Sequence, residues 1–375
     1  MKHRTHIVFS GGGTGGHLFP GLAVAERLCE EIAHLRVTFA GSGKAFEQQQ
    51  VAAAGYEYLA LPCRPLPAKA RDAVPFFVEN LAGYFAARRF LREERVNAVV
   101  GLGGYASVPM GRAAARCNRP LILLEQNAIP GRATRWLAKK ADLICTSFAE
   151  TEEHLSGRCT VRLTGNPVRR NFLAFQANRD AAAPQILVLG GSGGARSINE
   201  NLPRAFHKLR DRLKGWNIVH QSGEADAKAV QSLYDKLAIE ATVLPFLEDL
   251  PRRLQQADLV VCRAGGTTLA ELAAAGVPAV LVPYPRAKDA HQLKNALVYA
   301  RTGAASLVEE PAAPDRLDDA VAESLQSLLA EGDKRREMSA AMARMALPHA
   351  AADVADLVWS LVCSCAWSAK AEMAA

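Results

Sequence analysis

Two glycine-rich turns, one in each half of the chain, constrain its fold more than any other feature. The first is Ser10-Gly11-Gly12-Gly13-Thr14-Gly15-Gly16-His17. It follows a β-like run, Thr5 to Phe9, and precedes a helix-like run with Leu22, Ala23, Val24, Ala25 and Leu28. The second is Gly190-Gly191-Ser192-Gly193-Gly194-Ala195-Arg196, after the apolar run Gln185 to Leu189. A strand, a glycine turn and a helix start make a place for phosphate. The first N–H groups of a helix lack partners within it, and its dipole favours negative charge there. Glycine lets the backbone come close to the anion. Two such turns predict two similar domains with a cleft between them.

The rest of the chain has the matching pattern. Short apolar runs alternate with helical stretches: Arg36–Ala40, Ala98–Gly101, Pro120–Leu124, Asp142–Thr146 and Val161–Thr164, then Ile186–Leu189, Trp216–His220, Ala241–Leu244, Leu259–Cys262, Ala279–Val282 and Ala305–Val308. Nearly continuous apolar strands separated by helices indicate parallel sheets covered on both faces, a doubly wound α/β architecture. A chain of 375 residues is also too long for one ordinary core. The expected division is a first domain over 1–170, a linker over 171–184, a second domain over 185–347, and a helix over 348–375 that packs back on the first domain.

Several function classes fall away. Gly41-Ser42-Gly43-Lys44 looks like half of a Walker A loop. Thr38 stands where that pattern needs its first glycine, and Ala45 where it needs Ser or Thr for magnesium, so a P-loop NTPase is rejected. Gly11-x-Gly13 followed by Gly16 matches the dinucleotide pattern, but Glu30 and Glu31 fall in a helix tail rather than at a strand end. The net charge of +7 is spread along the chain, without an RRM, zinc-finger or helix-turn-helix signature, so no nucleic acid partner is expected. No apolar run reaches the roughly 20 residues of a membrane span. The start resembles no signal peptide, and the eight scattered cysteines fit a reduced, structural, cytoplasmic setting.

In open α/β sheets ligands bind beyond the carboxyl ends of the strands. Five strand ends carry unusual polar groups: Glu125-Gln126-Asn127, Gly165-Asn166-Pro167-Val168-Arg169, His220-Gln221-Ser222-Gly223, Arg263-Ala264-Gly265-Gly266-Thr267-Thr268, and the stretch from Pro283 through His291-Gln292. Each has a plain structural reading as a turn, a helix cap or a surface residue. Together they predict one composite site.

In order and spacing these segments, with Thr14-Gly15-Gly16-His17, resemble the peptidoglycan N-acetylglucosaminyltransferase family that converts lipid I to lipid II. The resemblance covers nearly the whole chain, up to about Val362. It implies a GT-B fold, two Rossmann-like domains facing a central cleft. It implies inverting transfer of GlcNAc from UDP-GlcNAc to the C4 hydroxyl of MurNAc in undecaprenyl-pyrophosphoryl-MurNAc-pentapeptide, at the cytoplasmic face of the bacterial plasma membrane. By resemblance, Glu271 accepts from the ribose hydroxyls and Leu247 meets uracil through its backbone. Ser192 with its neighbours and Arg169 hold diphosphate, and Gly266, Thr267 and Thr268, at the start of the helix that carries Glu271, also bind substrate. Gln292 and Asn127 bond the GlcNAc hydroxyls, and Thr14, Gly15 and Gly16 approach the sugar and the acceptor diphosphate. Two positions depart from the family pattern. Gly193 replaces a common Gln, and Gly266-Thr267-Thr268 replaces a common Ala-Leu-Thr. Both leave backbone donors in place.

An inverting displacement needs a base for the sugar hydroxyl and stabilisation of departing UDP. His17 is the base candidate, against a reading as a residue that orders the loop. Glu125 is its competitor, against a reading as a structural carboxylate. The chain contains no Asp-x-Asp, so neither a metal nor another cofactor is expected. Val74-Pro75-Phe76-Phe77-Val78 with Leu81, Tyr84 and Phe85, followed by Arg88, Arg89 and Arg92, predicts a face for an anionic membrane surface. Other cell-wall synthesis proteins are further partners that the resemblance admits. The competing readings are a GT-B enzyme with another acceptor, such as a diacylglycerol glycosyltransferase, a UDP-GlcNAc 2-epimerase, and a UDP-sugar-binding regulator.

Overall fold

The computed structural model describes residues 5–67, 69–156, 159–173, 183–191, 194–311 and 316–374, with side chains omitted at 288 and beyond 364. The chain divides into two units, Met1–Arg169 with Pro348–Ala375, and Arg170–Leu347.

The first unit runs β1 (His6–Gly11), α1 (Gly15–Glu31), β2 (Arg36–Gly41), α2 (Ala45–Ala53), β3 (Glu57–Ala60), α3 (Ala73–Glu93), β4 (Ala98–Gly103), α4 (Val108–Arg116), β5 (Leu121–Glu125), α5 (Arg132–Ala138), β6 (Leu143–Thr146) and β7 (Thr160–Leu163). All seven strands are parallel, in the order β3-β2-β1-β4-β5-β6-β7. The chain starts in the middle, winds outward one way, and crosses back beside β1 to wind the other way. That reversal puts the ends of β1 and β4 at the switch point, where ligands of such sheets bind. Ile7, Phe9, Val100, Leu102, Ile122 and Leu124 are buried with α1 on one face, and Val8, Val99, Leu121, Leu123 and Ile144 with α3 and α4 on the other. Burial on both faces explains why these strands read as unbroken apolar runs.

The second unit repeats the plan: α6 (Arg170–Leu173), β8 (Gln185–Leu189), α7 (Arg196–Lys208), β9 (Asn217–Gln221), α8 (Ala227–Lys236), β10 (Thr242–Leu244), α9 (Leu250–Gln256), β11 (Leu259–Cys262), α10 (Gly266–Ala275), β12 (Ala279–Leu281), α11 (His291–Arg301), β13 (Ala305–Leu307), α12 (Leu317–Ala330) and α13 (Gly332–Arg344). Its six parallel strands lie in the order β10-β9-β8-β11-β12-β13, so β8 and β11 flank its switch point. Its core joins Ile186, Val188, Ile198, Phe206, Val261, Val280 and Leu325.

The last helix, α14 (Ala350–Ala374), belongs to the first unit. Val354, Ala355, Val358 and Val362 join the core that holds α1 and β1. Their spacing puts one apolar stripe on one helix face.

Two features differ from the pattern read in the sequence. Strand β3 carries Glu57 and half-exposed Tyr58 and Leu59 at a sheet edge, so it lacks the apolar run that marks central strands. Residues 170–173, at the start of the expected linker, form the helical turn α6, with Phe172 buried and the turn packed on α9 and α10. Residues 174–182 lie outside the described residues.

Candidate functional site

In the first unit the glycine turn leaves β1 at the switch point and enters α1. Thr14 occupies the N-cap position with extended backbone, yet its hydroxyl makes no cap bond. It lies instead 3.2 Å from Nδ1 of His17, which is half-buried on the first turn of α1. The imidazole rests on the end of β4. A Cβ at Gly103 would stand 2.9 Å from His17 Cδ2, and both Gly103 (φ 93°) and Gly104 (φ 72°) have left-handed backbone. Glycine is therefore required there twice over, for space and for conformation. Thr14, Gly15, Gly16 and His17 form one stretch at the surface of this turn, with Thr14 and Gly16 exposed.

Glu125 ends β5 and is buried. Its Oε1 accepts from the backbone and side-chain nitrogens of Asn127, each at 3.1 Å, and its Oε2 accepts from Gly131 N–H at 3.0 Å. Burial pushes the carboxyl above its ordinary range, against hydrogen bonds from Thr134, Gly131 and Asn127 that pull it down. Both oxygens hold the loop 126–131. Gln126 is buried as well, and its amide bonds Leu102 O across to β4 at 3.1 Å. The nitrogen of the Asn127 side chain faces Glu125, and its backbone oxygen accepts from the Thr151 hydroxyl. Arg169, at the end of this unit, lays its guanidinium 4.1 Å over the ring of Phe19 on α1. That contact holds the cation near the start of the helix that follows the glycine turn.

In the second unit Gly190 N–H donates to Gln221 O at 2.8 Å, which ties the second turn to β9. Ser192 and Gly193 lie outside the described residues. Behind the turn stands a buried cluster. Asn199 donates through its amide nitrogen to Ser222 O and Asp226, both at 2.9 Å, and its Oδ1 lies 3.1 Å from His220 Nε2. His220 therefore donates through Nε2 and accepts at Nδ1 from the Tyr234 hydroxyl at 3.0 Å. Burial pushes its pKa down to about 3. This histidine is a neutral strut under the loop, a structural role for the segment His220 to Gly223.

Helix α10 begins at Gly266, after β11 and Arg263-Ala264-Gly265. Thr267 and Glu271 are buried on it, with Glu271 just over one turn in, and Thr268 is half-buried. Leu247 is buried beside exposed Phe246. Gln292, on the first turn of α11, accepts from Tyr284 N–H at 2.9 Å through Oε1. Its orientation is thereby fixed with the amide nitrogen as the remaining donor group. The approach to α11 is strained, since Asp289 (φ 55°) and Ala290 (φ 51°) are both left-handed and neither is glycine.

Arg263 has no role legible in the sequence. It is the hub of this edge. Its guanidinium donates to Val282 O (2.9 Å), Pro283 O (3.2 Å), Glu310 (2.8 Å) and Ser197 Oγ (2.6 Å) and stacks over Tyr284. The signal available was an arginine set directly after a buried apolar strand. Among the described residues no group of three His, Cys, Asp or Glu side chains is placed to hold a metal.

Within each unit, the structure gathers the expected residues at the carboxyl ends of the strands. Thr14, Gly15, Gly16, His17, Glu125, Asn127 and Arg169 lie in the first unit. Leu247, Gly266, Thr267, Thr268, Glu271 and Gln292 lie in the second.

Known proteins match both units of the chain. The model of the glycosyltransferase family 28 N-terminal domain matches residues 7–146, and that of the family 28 C-terminal domain matches residues 185–356. A UDP-N-acetylglucosamine--N-acetylmuramyl-(pentapeptide) pyrophosphoryl-undecaprenol N-acetylglucosamine transferase of Anaeromyxobacter sp. (strain Fw109-5) is 36% identical over 361 residues, 95% of this chain and 93% of that protein. The protein of the same name from Stutzerimonas stutzeri (strain A1501) is 37% identical over 358 residues, 94% of this chain and 97% of that one. The crystal structure of Acinetobacter baumannii MurG superposes with a TM-score of 0.72 at 32% identity, covering 95% of this chain and 99% of that one. Identity of this size across both units, with the paired glycine turns and the two duplicated sheets, shows that the chain belongs to the family of UDP-N-acetylglucosamine--N-acetylmuramyl-(pentapeptide) pyrophosphoryl-undecaprenol N-acetylglucosamine transferases.

Proposed function

We propose that the protein transfers GlcNAc from UDP-GlcNAc to the C4 hydroxyl of MurNAc in undecaprenyl-pyrophosphoryl-MurNAc-pentapeptide, forming lipid II with inversion at the anomeric carbon. The observation that carries this reading is the match to transferases of that name along nearly the whole chain. The two glycine turns, at the switch points of the two sheets, supply the anion-binding backbone that such a reaction needs.

The donor belongs to the second unit. The Glu271 carboxylate accepts from the ribose hydroxyls, the backbone of Leu247 meets uracil, and the N–H groups of the turn after β8 and of Gly266 to Thr268 hold diphosphate. Gln292 donates to a GlcNAc hydroxyl through the amide nitrogen that Tyr284 leaves free of its own bond. The acceptor belongs to the first unit. His17 takes the C4 proton as that oxygen bonds to the anomeric carbon and the bond from that carbon to phosphate breaks. For Nε2 to be the basic nitrogen, Nδ1 carries the proton and donates to the Thr14 hydroxyl. Arg169 and the helix N-terminus stabilise the charge that develops on departing UDP. Asn127 positions sugar hydroxyls from a loop whose shape Glu125 sets. The carboxylate of Glu125 is buried and already accepts four hydrogen bonds, so we assign it to anchoring rather than to proton transfer.

The lipid acceptor requires a membrane contact. No helix among the described residues is long and apolar enough to cross a membrane. Helix α3 instead exposes Val74, Phe77, Val78, Leu81 and Phe85, with Phe77 at 68% and Leu81 at 56%. These positions recur on one helix face. Phe76 is half-buried and packs edge-on against Phe77, while Gly83, Ala87 and Leu91 face the core. Arg88 lies over Tyr84, Arg89 pairs with Glu93, and Arg92 is exposed. This face rests on an anionic membrane surface, the apolar stripe inserted and the arginines at the headgroups.

The test is UDP release from UDP-GlcNAc with and without a lipid I analogue. Acceptor-dependent release is expected. Release of UDP that no acceptor stimulates, or donor binding without any turnover, would overturn the reading.

A further inference from the structure

Gly41-Ser42-Gly43, which resembles half of a phosphate loop and binds none of the groups described above, has a structural counterpart. It wraps a carboxylate. Glu47, on α2, is fully buried. Its Oε1 accepts from Gly13 N–H at 2.6 Å and from the Ser42 hydroxyl at 2.8 Å. Its Oε2 accepts from Ser42 N–H at 2.8 Å and from the Tyr58 hydroxyl at 2.5 Å. Tyr58 in turn accepts from Gly43 N–H at 2.8 Å. Four donors, two per oxygen, match an ionised carboxylate, which can only accept. The backbone has been cleared to admit it. A Cβ on Gly12 (φ 146°) would stand 2.9 Å from Glu47 Oε1, and one on Gly41 would collide with both Oε2 and the Tyr58 hydroxyl.

Through this one side chain the turns that follow β1 and β2 are locked together. The bond to Gly13 matters most for chemistry. It directs the Gly13 N–H inward and so fixes the Gly12–Gly13 peptide, one residue ahead of Thr14. Thr14 then presents its hydroxyl to His17 Nδ1, and its carbonyl accepts from the N–H groups of His17 and Leu18 as α1 begins. A core that needed only to be filled would place an apolar residue here, since a buried carboxylate is costly unless every acceptor site is answered. A carboxylate with all donors supplied, one of them from the catalytic loop, serves to fix geometry.

We propose that Glu47 is a positioning residue for the transfer reaction, holding Gly13 so that Thr14 and His17 stand ready for the acceptor. The inference rests on the assignment of His17 made above. Glu47 is fully buried, so its effect passes through the loop it holds.

Three measurements on the full-length chain test it, with Glu47→Gln and Tyr58→Phe. Glutamine keeps size and shape but turns a donor toward donors. Glu47→Gln is expected to lower kcat by about 10²-fold at a temperature where it is fully folded, the scale of a misplacement of about 1 Å. UDP affinity by calorimetry should equal that of the parent. Tyr58→Phe, which removes one donor and leaves the bond to Gly13, should lower kcat less. In histidine-labelled protein, the His17 ring resonance, identified by its loss in His17→Asn, should move in Glu47→Gln. A variant that melts at a lower temperature but keeps kcat within twofold and leaves the His17 resonance in place would overturn the proposal, because the carboxylate would then only stabilise the core. If Glu47→Gln does not fold, Glu47→Asp, which keeps the charge but withdraws it from the Gly13 N–H, carries the same test, and an unmoved resonance with unchanged kcat overturns it. If the parent itself shows no transfer, the functional reading fails, and the resonance still decides whether Glu47 positions His17.

Discussion

The Thr14 hydroxyl lies 3.2 Å from Nδ1 of His17, at a helix N-cap where a threonine ordinarily bonds the backbone. The threonine makes a ring contact instead of a capping bond, and this contact orients the imidazole while its hydroxyl can donate or accept at Nδ1. Thr14→Val should therefore lower kcat, and Thr14→Ser should keep most of it. Steady-state kinetics with a lipid I analogue decides. Equal loss in both variants would mean that the methyl group, not the hydroxyl, matters.

His17→Ala removes the base itself. A positioned base contributes about 10² to 10⁴ in rate, so kcat should fall by that factor. UDP affinity by calorimetry should hardly change, because the donor residues lie in the other unit. A loss of less than tenfold would make His17 a loop-ordering residue.

Glu271 is buried on α10, where a lost carboxylate cannot be replaced by solvent. Glu271→Ala should weaken UDP binding by about 1.5 to 3 kcal/mol, the range for hydrogen bonds to a charged group. UDP binding as tight as in the parent would remove Glu271 from the donor site.

Phe77→Asp with Leu81→Asp places charge on the exposed stripe of α3. Co-sedimentation with anionic vesicles should drop sharply while UDP affinity holds. Binding to vesicles as strong as that of the parent would show that α3 is not the docking face.

His220 is neutral and buried, with its pKa pushed down to about 3. In the unfolded chain it titrates near 6.5. Between those values the unfolded state binds the extra proton, so stability rises with pH there and is lost as pH falls through the window. The contribution is at most about 1.4 kcal/mol per pH unit. Ring resonances of His220 should not titrate from pH 8 down to 5. A midpoint near 6.5 would contradict the bonded, neutral ring.

The doubly wound plan of both units was legible in the sequence, because strands covered on two faces are apolar along their length. It also marked the glycine turns after β1 and β8, where Gly11, Gly12, Gly13, Gly191 and Gly194 have positive φ that favours glycine. The family resemblance placed Glu125 among the catalytic candidates but left two roles open. The anchoring role proposed above is supported by its burial and hydrogen bonds, which residues 127, 131 and 134 set by folding around it. Glu47 carried no sequence signal, because a lone glutamate in a polar helix looks solvated. Only folding brings it beneath Gly13, a residue 34 positions away. Strand β3 went unread for a related reason, since an edge strand buries too little surface to need apolar residues. Periodicity and glycine report local demands on the backbone. The partners of a buried charge are chosen by the packing of distant segments, and that choice exists only in three dimensions.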